Sequence, residues 1–443
     1  MKEKIKIKTA AALMAVLMIL CSCSVNHSGL LTGEEEIGVS VPEESSDIET
    51  EDSQNEETEE KDPVEEEQSE EKLPINRIAG NEAEIDAVMD RLFRQFSVVG
   101  GSVAVFEKGE VVYLHHFGRS NIEKGLSVSD ETRFRIASVS KAVTALLAEI
   151  LVDEGKLNLD RDLSEFVHEK LRSPAYPNVP VTARQLMTHT SSLIDGESYQ
   201  VAISTIPFVS LDQILAEGKV WSGKKPGEKY VYTNFGMGLL SGVIESVTGE
   251  RFYEYADKTL FKPLEMDAGY VVEKVADKSQ IASMYGSKGL TAAPSVWKAM
   301  GQDYVNVPIG QMYLLGQGEL YISAYDLARI GCILAGDGCI NGTRIISEER
   351  LDEMHQVYFT DEKSGMMRGL GVQAFDGLKE EGYLWGHQGN AYGMISGLIY
   401  DREEEYGFVV LTNSCYAARA NNVYEINRAV VKEFRKYFRS DEG

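Results

Sequence analysis

The chain has 443 residues, and its 70 acidic residues outnumber its 44 basic ones, which gives a formal net charge of −26. A chain this acidic lacks the basic patches that nucleic-acid binding needs, so no nucleic-acid partner is expected. The seven histidines and five cysteines are scattered without zinc-site spacing, and no phosphate loop joins a strand to a helix, so neither a metal nor another cofactor is expected.

The first 23 residues are predicted to direct export. Four lysines between positions 2 and 8 precede an apolar run from Ala10 to Leu20, which is too short to span a bilayer as a helix. The following Leu20-Cys-Ser-Cys23 resembles a bacterial lipobox, in which Cys23 would carry the lipid. We therefore expect an extracytoplasmic, membrane-anchored bacterial lipoprotein. An ordinary cleaved signal peptide is the alternative, and a transmembrane anchor is less favoured.

Residues 24–76 are predicted to form an acidic, disordered tether. Between Gly33 and Lys72 there are 19 acidic residues and two lysines, a local net charge of −17, and no aromatic residue. Such a segment buries too little apolar surface to offset the entropy of ordering, and its like charges extend it. The tether would hold a folded domain away from a membrane. Because it carries most of the net charge, the acidity says little about a substrate.

Residues 77–443 have an ordinary globular composition and are predicted to form one folded domain. An amphipathic helix is predicted over 81–96, and a strand hairpin over 101–117. Helices and loops predominate over about 157–307, which we expect to form a mainly helical lobe. Three strands near 383–389, 394–400 and 406–412 precede a closing helix over 422–438. Strands at both ends with helices between them indicate one sheet assembled from the two ends of the chain.

A long helix after the hairpin is predicted to carry a nucleophile. Apolar residues recur at helical spacing from Val139 to Leu151, and Gly155 is placed to end the helix. Ser138 would lie near its start, where free backbone N–H groups and the helix dipole favour negative charge. Lys141, one turn later, can share a face with the serine hydroxyl. An amine buried among apolar residues loses pKa and can act as the base that a serine nucleophile needs.

The pattern Ser-x-x-Lys occurs four times in the chain, so the sequence around each occurrence must show which serine is the candidate nucleophile. Ser69 lies in the acidic tract, Ser222 lies in a glycine- and lysine-rich turn, and Ser295 has no clear apolar helical run after it. Only Ser138 opens a long, well-patterned helix.

A second candidate element is Tyr232-Thr-Asn234, which would bring a phenol and a carboxamide onto one loop. The phenol can relay a proton to a leaving group, and the amide can position a substrate carbonyl or the lysine. The same pattern recurs at Tyr176 and Tyr304, but Tyr232 lies between a Pro-Gly turn and a glycine-containing helix, which exposes a loop. A core tyrosine with a satisfied hydroxyl is the alternative for this residue.

A third candidate element is His387-Gln-Gly389, at the end of a predicted strand. A backbone N–H from Asn390 could pair with that of Ser138 and form a two-donor oxyanion hole. Gly389 would let a substrate approach the backbone closely. A lone histidine in a strand is more often structural, so the prediction depends on the order and spacing of all three elements.

Together these elements resemble the serine hydrolases related to class C β-lactamases and D-Ala-D-Ala carboxypeptidases. The signature of that family is Ser-x-x-Lys, Tyr-x-Asn and a Lys-Thr-Gly or His-x-Gly strand. Further matches at 186–193, 226–227, 236–242 and 323–329 extend the resemblance over about residues 78–440. It implies an α/β (α+β) fold in which helices flank an antiparallel sheet, with a mainly helical lobe and a site in the groove between them.

The resemblance also implies acyl transfer through a covalent acyl-Ser138. Lys141 and Tyr232 would act as the general base and the general acid. Which of the two accepts the first proton stays open. Asn234 would contact the substrate and Lys141, His387 and Gly389 would line the substrate site, and the backbone N–H groups of Ser138 and Asn390 would hold the oxyanion. The partner would be a small-molecule or peptide substrate, and no pattern in the sequence indicates an oligomeric state.

Two departures from the family pattern bear on function. His387 and Gln388 stand where true β-lactamases place a lysine and a hydroxyl that suit a substrate carboxylate. We therefore expect a peptidase or esterase, acting for example on D-amino-acid peptides of the cell wall, rather than an efficient β-lactamase. Ser192 stands where glycine is usual, and the nearby His189 is expected to be structural.

The alternative function is a penicillin-binding or sensor-type protein on the same fold, which binds or is acylated without efficient turnover. The intact set of Ser138, Lys141 and Tyr232 favours turnover, because a binding protein has no need of all three. Cys332 and Cys339 could form a disulfide outside the cell or could be two core thiols, and both readings stay open.

Overall fold

The computed structural model describes residues 82–203, 209–275, 277–286, 307–362 and 364–438. The predicted export signal with Cys23 and the predicted tether lie outside these residues, and so does 287–306 of the predicted helical lobe. Within the described ranges, no helix is both long and apolar enough to cross a membrane.

A nine-stranded antiparallel sheet forms the centre of the fold, with the strand order β3-β2-β1-β13-β12-β11-β10-β9-β8. The strands of the described ranges are β1 Gly100–Glu107, β2 Glu110–Asn121, β3 Leu126–Ser127, β4 Phe134–Arg135, β5 Tyr321–Ile322, β6 Cys339–Ile340, β7 Thr343–Arg344, β8 Phe359–Thr360, β9 Met367–Arg368, β10 Gln373–Phe375, β11 Leu384–Ala391, β12 Met394–Asp401, β13 Tyr406–Thr412, β14 Arg419–Ala420 and β15 Val423–Tyr424.

Helices cover both faces of this sheet and build the lobe beside it. They are α1 Glu82–Gln95, α2 Ser140–Asp153, α3 Ala183–Met187, α4 Glu197–Ile203, α5 Leu211–Glu217, α6 Asn234–Thr248, α7 Phe252–Ala256, α8 Ala324–Ala335, α9 Glu348–Met354 and α10 Glu425–Phe438. The predicted α/β (α+β) class, with an antiparallel sheet flanked by helices, is confirmed.

The sheet joins the two ends of the chain, as the sequence predicted. Strand β1 pairs with β13, with Val103 opposite Val410, and β13 continues through β12 to β11. The three short strands from β8 to β10 extend this edge and were not predicted. Strands of two or three residues are too short to show the alternation of apolar and polar residues that identifies a strand.

Two apolar layers on opposite faces of the sheet fix the position of α2, the helix that follows Ser138. Helices α1 and α10 pack on one face of the sheet, where Phe93 and Phe434 belong to one buried cluster. Helix α8 packs on β1 and β13 from the other face, and α2 lies in the same, larger cluster. Every residue of α2 from Ser140 to Leu151 is buried, as expected for a helix in the middle of a large domain.

One buried residue of α2 is a carboxylate. The side chain of Glu149 is 0% exposed, neither of its oxygens has a hydrogen-bond partner, and the guanidinium of Arg350 lies 3.8 Å away. Burial raises the pKa of Glu149 to about 8. The folded state therefore prefers the protonated acid, while the unfolded chain ionises near the ordinary value of 4.5. This preference stabilises the fold fully below pH 4.5, and the stabilisation is lost as pH rises towards 8.

We expect Glu149→Gln to remove this pH dependence. Between about pH 5.5 and about pH 8, the wild type should lose on the order of 2–3 kcal/mol of unfolding free energy that the variant keeps. Urea denaturation of both proteins at the two pH values measures this difference. Glu348→Gln changes an exposed glutamate of α9 and is the control. Parallel pH profiles for wild type and Glu149→Gln would show that the buried acid does not couple to folding.

Candidate active site

Ser138 lies in a single 3-10 turn, Ala137–Val139, that leads directly into α2 at Ser140. The prediction of a helix start at this serine agrees with the structure. Ala137 adopts a left-handed conformation with φ of +45°, which residues other than glycine rarely adopt. Such strain persists only where the surrounding structure enforces it, and it is concentrated at functional sites.

Two proton-transfer groups flank the hydroxyl of Ser138. The Lys141 Nζ lies 3.0 Å from the Ser138 Oγ, and the Tyr232 hydroxyl lies 2.9 Å from the same oxygen. The side chain of Lys141 is 0% exposed, and its Nζ also donates to the Asn234 Oδ1 at 2.8 Å and to the Gln317 backbone oxygen at 2.5 Å. Four residues predicted from two separate motifs, Ser138, Lys141, Tyr232 and Asn234, therefore meet in one hydrogen-bonded group.

Asp195 fixes the orientation of the Asn234 amide, and this residue belongs to none of the predicted motifs. Its Oδ2 accepts from the Asn234 Nδ2 at 2.8 Å, and its Oδ1 accepts from the Thr233 hydroxyl and from the Phe235 N–H, both at 2.8 Å. Because a carboxylate can only accept, the amide must turn its NH₂ to Asp195 and its oxygen to Lys141. The buried Lys141 is thus held by a hydrogen-bond network that includes Asp195, which belongs to none of the three predicted motifs.

Replacing Asp195 with asparagine should loosen this network. We expect Asp195→Asn to slow acylation of Ser138 by about 10- to 100-fold, because the Asn234 oxygen would no longer be held against Lys141. The rate of covalent labelling by a fluorophosphonate measures the effect. Glu197→Gln changes an exposed acid two residues away and serves as the control. Equal labelling rates for all three proteins would show that Asp195 does not contribute to acylation of Ser138.

Two buried histidines in the predicted site motifs, His189 and His387, are neutral, because burial lowers the pKa of each. The His189 ring packs 4.5 Å from the Tyr232 ring, centre to centre, and its Nδ1 accepts from the Thr233 N–H. His387 is 4% exposed, its Nδ1 lies 2.8 Å from the backbone oxygen of Gln388, and its Nε2 has no hydrogen-bond partner. Burial, followed by the charge of Arg368, holds the pKa of both histidines well below the ordinary value.

Strand β11 passes directly beside the turn that carries Ser138. A Cβ atom at Gly389 would lie 2.5 Å from the Ile136 backbone oxygen and 3.0 Å from the Ser138 backbone nitrogen. We expected glycine here to admit a substrate, but on this side the space is filled by the protein's own backbone. Asn390, the predicted oxyanion donor, follows in the same strand and pairs with Ile395.

The Gln388 side chain points away from the site. It donates to the Asn422 backbone oxygen at 2.9 Å and accepts from the Tyr424 N–H and the Asn427 amide. Successive residues of a strand face opposite sides of a sheet, so His387 and Gly389 face Ser138 while Gln388 faces α10. Beyond Gly386, no strand within the described ranges pairs with the other edge of β11.

In the described ranges, no group of three or more His, Cys, Asp or Glu residues is arranged to hold a metal ion. Cys332, Cys339 and Cys415 carry free thiols in the structure.

Two further residues near the site were not predicted from the sequence. Gln317 contributes only its backbone oxygen, and the guanidinium carbon of Arg368 lies 5.6 Å from the Tyr232 ring centre.

Comparisons with known proteins identify a family profile and solved structures of similar fold. The profile of the Beta-lactamase family matches residues 85–431. A penicillin-binding protein homologue from Pyrococcus abyssi superposes with a TM-score of 0.64 at 26% identity, over 81% of this chain and 78% of that chain. A D-amino acid amidase from Ochrobactrum anthropi SV3 superposes with a TM-score of 0.63 at 23% identity, over 81% of this chain and 99% of that chain.

A curated relative covers a smaller region. Protein flp from Staphylococcus aureus strain N315 is 27% identical over 186 residues, which are 42% of this chain and 37% of that protein. This chain therefore matches little more than a third of the length of flp.

Proposed function

The chain belongs to the beta-lactamase family, and from that premise we propose that it is an exported serine hydrolase that cleaves an amide or an ester through an acyl-Ser138 intermediate. One observation carries the proposal. The Ser138 Oγ lies 3.0 Å from the Lys141 Nζ and 2.9 Å from the Tyr232 hydroxyl, so a nucleophile has two proton-transfer groups within hydrogen-bond reach.

In the acylation step, the Ser138 Oγ bonds to the carbonyl carbon of the substrate. The hydroxyl proton passes to Lys141 or Tyr232, and the carbonyl oxygen becomes an oxyanion. The backbone N–H groups of Ser138 and Asn390 would stabilise that charge. Their proximity is supported by the close packing of Gly389 against the Ser138 nitrogen.

Acylation is completed when the bond to the leaving nitrogen or oxygen breaks. That atom takes the proton back from Lys141 or Tyr232. Water then attacks the acyl-Ser138 ester and gives one proton to Lys141 or Tyr232. That proton passes to the Ser138 Oγ as its bond to the carbonyl carbon breaks, which releases a carboxylic acid and the free serine. The Lys141 Nζ also donates to the two carbonyl oxygens of Asn234 and Gln317, which would hold the amine against Ser138 during both proton transfers.

The proposed substrate is a peptide or an ester, with D-amino-acid peptides of the cell wall as candidates. The strand edge beyond Gly386 would offer backbone groups to an extended substrate. His387 is kept neutral by burial, and Gln388 points towards α10, so neither supplies the cation and hydroxyl that a β-lactam carboxylate would use. We therefore propose that β-lactam hydrolysis is inefficient.

Export and anchoring are part of the proposal. Cys23 would be lipidated and would hold the domain at the outer face of the membrane through the acidic tether. Incorporation of labelled palmitate into the full-length chain, and its loss in Cys23→Ser, tests this anchor directly.

The function is tested by intact-protein mass spectrometry of the full-length chain after treatment with a fluorophosphonate. A small ester is then offered to the same proteins. We expect one adduct and ester turnover in the wild type, and neither in Ser138→Ala. Ser222→Ala is the matched control, because Ser222 begins another Ser-x-x-Lys sequence.

The other outcomes are equally informative. An adduct without turnover would contradict the hydrolase and support the penicillin-binding or sensor-type alternative. The absence of any adduct at Ser138 would show that this serine is not a nucleophile and would overturn the proposal.

A further inference from the structure

Arg135 and Glu319 form a buried ion pair beside the turn that carries Ser138, and their side chains are 6% and 5% exposed. The Arg135 Nε donates to one carboxylate oxygen at 3.2 Å, and its Nη2 donates to the other. Arg135 ends β4, three residues before Ser138, and Glu319 lies two residues after Gln317. The ion pair therefore joins the segment with the nucleophile to the segment whose backbone oxygen accepts from Lys141.

Stability alone does not explain this ion pair. Replacing a buried ion pair with apolar residues of similar volume is often neutral or stabilising, because both charges had to be taken out of water. The hydrogen bonding of the pair is also incomplete, since the Arg135 Nη1 is buried without a hydrogen-bond partner. A buried donor in that state lowers the free energy of unfolding. The contacts of the pair point instead to the geometry of the site.

The two segments that the ion pair joins are also connected through their backbones. The Ile136 N–H donates to the Leu320 backbone oxygen at 3.0 Å, next to the pair in both segments. Two residues before Glu319, the Gln317 backbone oxygen accepts from the Lys141 Nζ at 2.5 Å. Consecutive Cα atoms keep a fixed spacing, so a displacement of Glu319 would reach the Gln317 oxygen with little loss.

The Arg135 guanidinium also contacts the turn between β11 and β12. Its central carbon lies 5.0 Å from the centre of the Tyr392 ring. A cation within about 6 Å of a ring centre is attracted to the face of the ring. Tyr392 follows Asn390, the proposed second oxyanion donor, by two residues. Arg135 is therefore in contact with the end of the strand that would complete the oxyanion hole.

The backbone that follows Arg135 is strained. Ala137 has a left-handed φ of +45°, a conformation that persists only where the surrounding structure holds it. The Ser396 hydroxyl donates to the Ile136 backbone oxygen at 2.7 Å, and the Arg135 side chain is held by its ion pair. Both restraints act immediately before Ala137, so they help to set the direction of the next N–H group, that of Ser138.

We propose that the Arg135–Glu319 ion pair holds three segments of the site together for acylation. These segments carry the Ser138 turn, the Gln317 carbonyl and Asn390. Neither member of the pair takes part in the proton transfers described above, so both are positioning residues. The inference rests on the proposed function and adds two residues to it. Loss of the pair should lower kcat more than it raises KM, because the geometry that it sets is used in the transition state.

The test compares the full-length wild type with Glu319→Gln. Glutamine keeps the volume of the glutamate but removes its charge, and with it the ion pair. We expect kcat for a small neutral ester, and the limiting rate of fluorophosphonate labelling, to fall by about 10- to 100-fold. KM should stay within about threefold of the wild type. Arg135→Lys keeps the charge but not the two-bond fork, so its kcat should lie between the other two.

A second buried arginine provides the matched control. Arg133, two residues before Arg135, is 7% exposed, and its Nη2 lies 2.9 Å from the Asp267 Oδ2. Asp267 lies in none of the three segments. Asp267→Asn should therefore lower the melting temperature, as Glu319→Gln should, but leave kcat and the labelling rate close to those of the wild type. A purely structural role would make the two variants behave alike.

Tyr392→Leu keeps the inference testable if Glu319→Gln does not fold. Tyr392 is partly exposed, and leucine removes the ring that contacts Arg135 while the ion pair remains. Labelling should slow by about three- to tenfold. Tyr416→Leu changes a tyrosine that is 74% exposed and is the control. Equal labelling rates for these two variants and the wild type would contradict a positioning contact with β11.

Hydrogen exchange reports on the three segments without any turnover. Peptides from residues 134–141, 315–320 and 385–394 are followed by mass spectrometry in each protein. Glu319→Gln should increase exchange in all three, whereas Asp267→Asn should leave residues 385–394 unchanged.

The outcomes separate this inference from the proposed function. A wild type that neither labels nor turns over would contradict the hydrolase, while the exchange pattern would still support or contradict the role of the ion pair. Equal losses of kcat in Glu319→Gln and Asp267→Asn would show that the pair serves stability alone and would overturn the inference. An unchanged kcat with a lower melting temperature in Glu319→Gln would overturn it as well.

Discussion

Lys141→Met is expected to slow acylation of Ser138 by about 1,000-fold or more. The amine is fully buried and touches the nucleophile, the Asn234 amide and the Gln317 backbone oxygen. Methionine fills a similar volume but can neither hold nor move a proton. The fold should tolerate the change, because a buried amine is replaced by an apolar side chain of similar length. The rate constant for fluorophosphonate labelling and the turnover of a small ester both report the loss.

Lys225→Met provides a matched control for this variant. Lys225 is the lysine of the Ser-x-x-Lys sequence that begins at Ser222, and it is exposed. Its replacement should change neither the labelling rate nor the melting temperature. A Lys141→Met protein that labels within tenfold of the wild type would show that Tyr232 activates the serine unaided.

Gly389→Ala is expected to lower acylation by about 100-fold and also to lower the melting temperature. The new Cβ would lie 2.5 Å from the Ile136 backbone oxygen and 3.0 Å from the Ser138 nitrogen. Both contacts involve backbone atoms, which cannot rotate away, so β11 and the turn carrying Ser138 must separate. That separation would pull apart the two strands of backbone that supply the proposed oxyanion donors. Labelling rates and thermal unfolding together measure the effect.

Gly286→Ala is the control, because a Cβ at that position meets no atom of the described residues within 4 Å. Gly389→Ala with normal labelling but a lower melting temperature would mean that the close packing serves stability alone. Normal values for both would mean that β11 relaxes without affecting the turn.

The residues that the sequence predicted are those whose chemistry and spacing are both visible in it. Ser138 and Lys141 are one turn apart, and Tyr232 and Asn234 bracket the start of a helix, so each pair can be recognised locally. Ser192, where glycine is usual, adopts a left-handed φ of +69°, which explains the usual preference at this position. The predicted strands at the C-terminal end also agree with β11 to β13 within two residues.

The residues that the sequence missed act through tertiary structure. Gln317 contributes a backbone oxygen, which any residue type could supply, so no side chain marks it. Asp195 and Arg368 reach the site from a loop and from a two-residue strand, neither of which has a periodic pattern. The neutrality of His387 depends on burial, which only the packed fold determines.

The joining of the two chain ends in one sheet also sets the time at which the site can form. During synthesis, β1 must wait with an open edge until Tyr406–Thr412 has left the ribosome, and Ser138 waits for Leu384–Ala391. A nascent chain that stops earlier would hold Ser138 and Lys141 but not the strand that carries Asn390, the proposed second oxyanion donor. Acylation of Ser138 would therefore begin only after Leu384–Ala391 has emerged, and chains that stop before Tyr406–Thr412 would expose a strand edge that promotes aggregation.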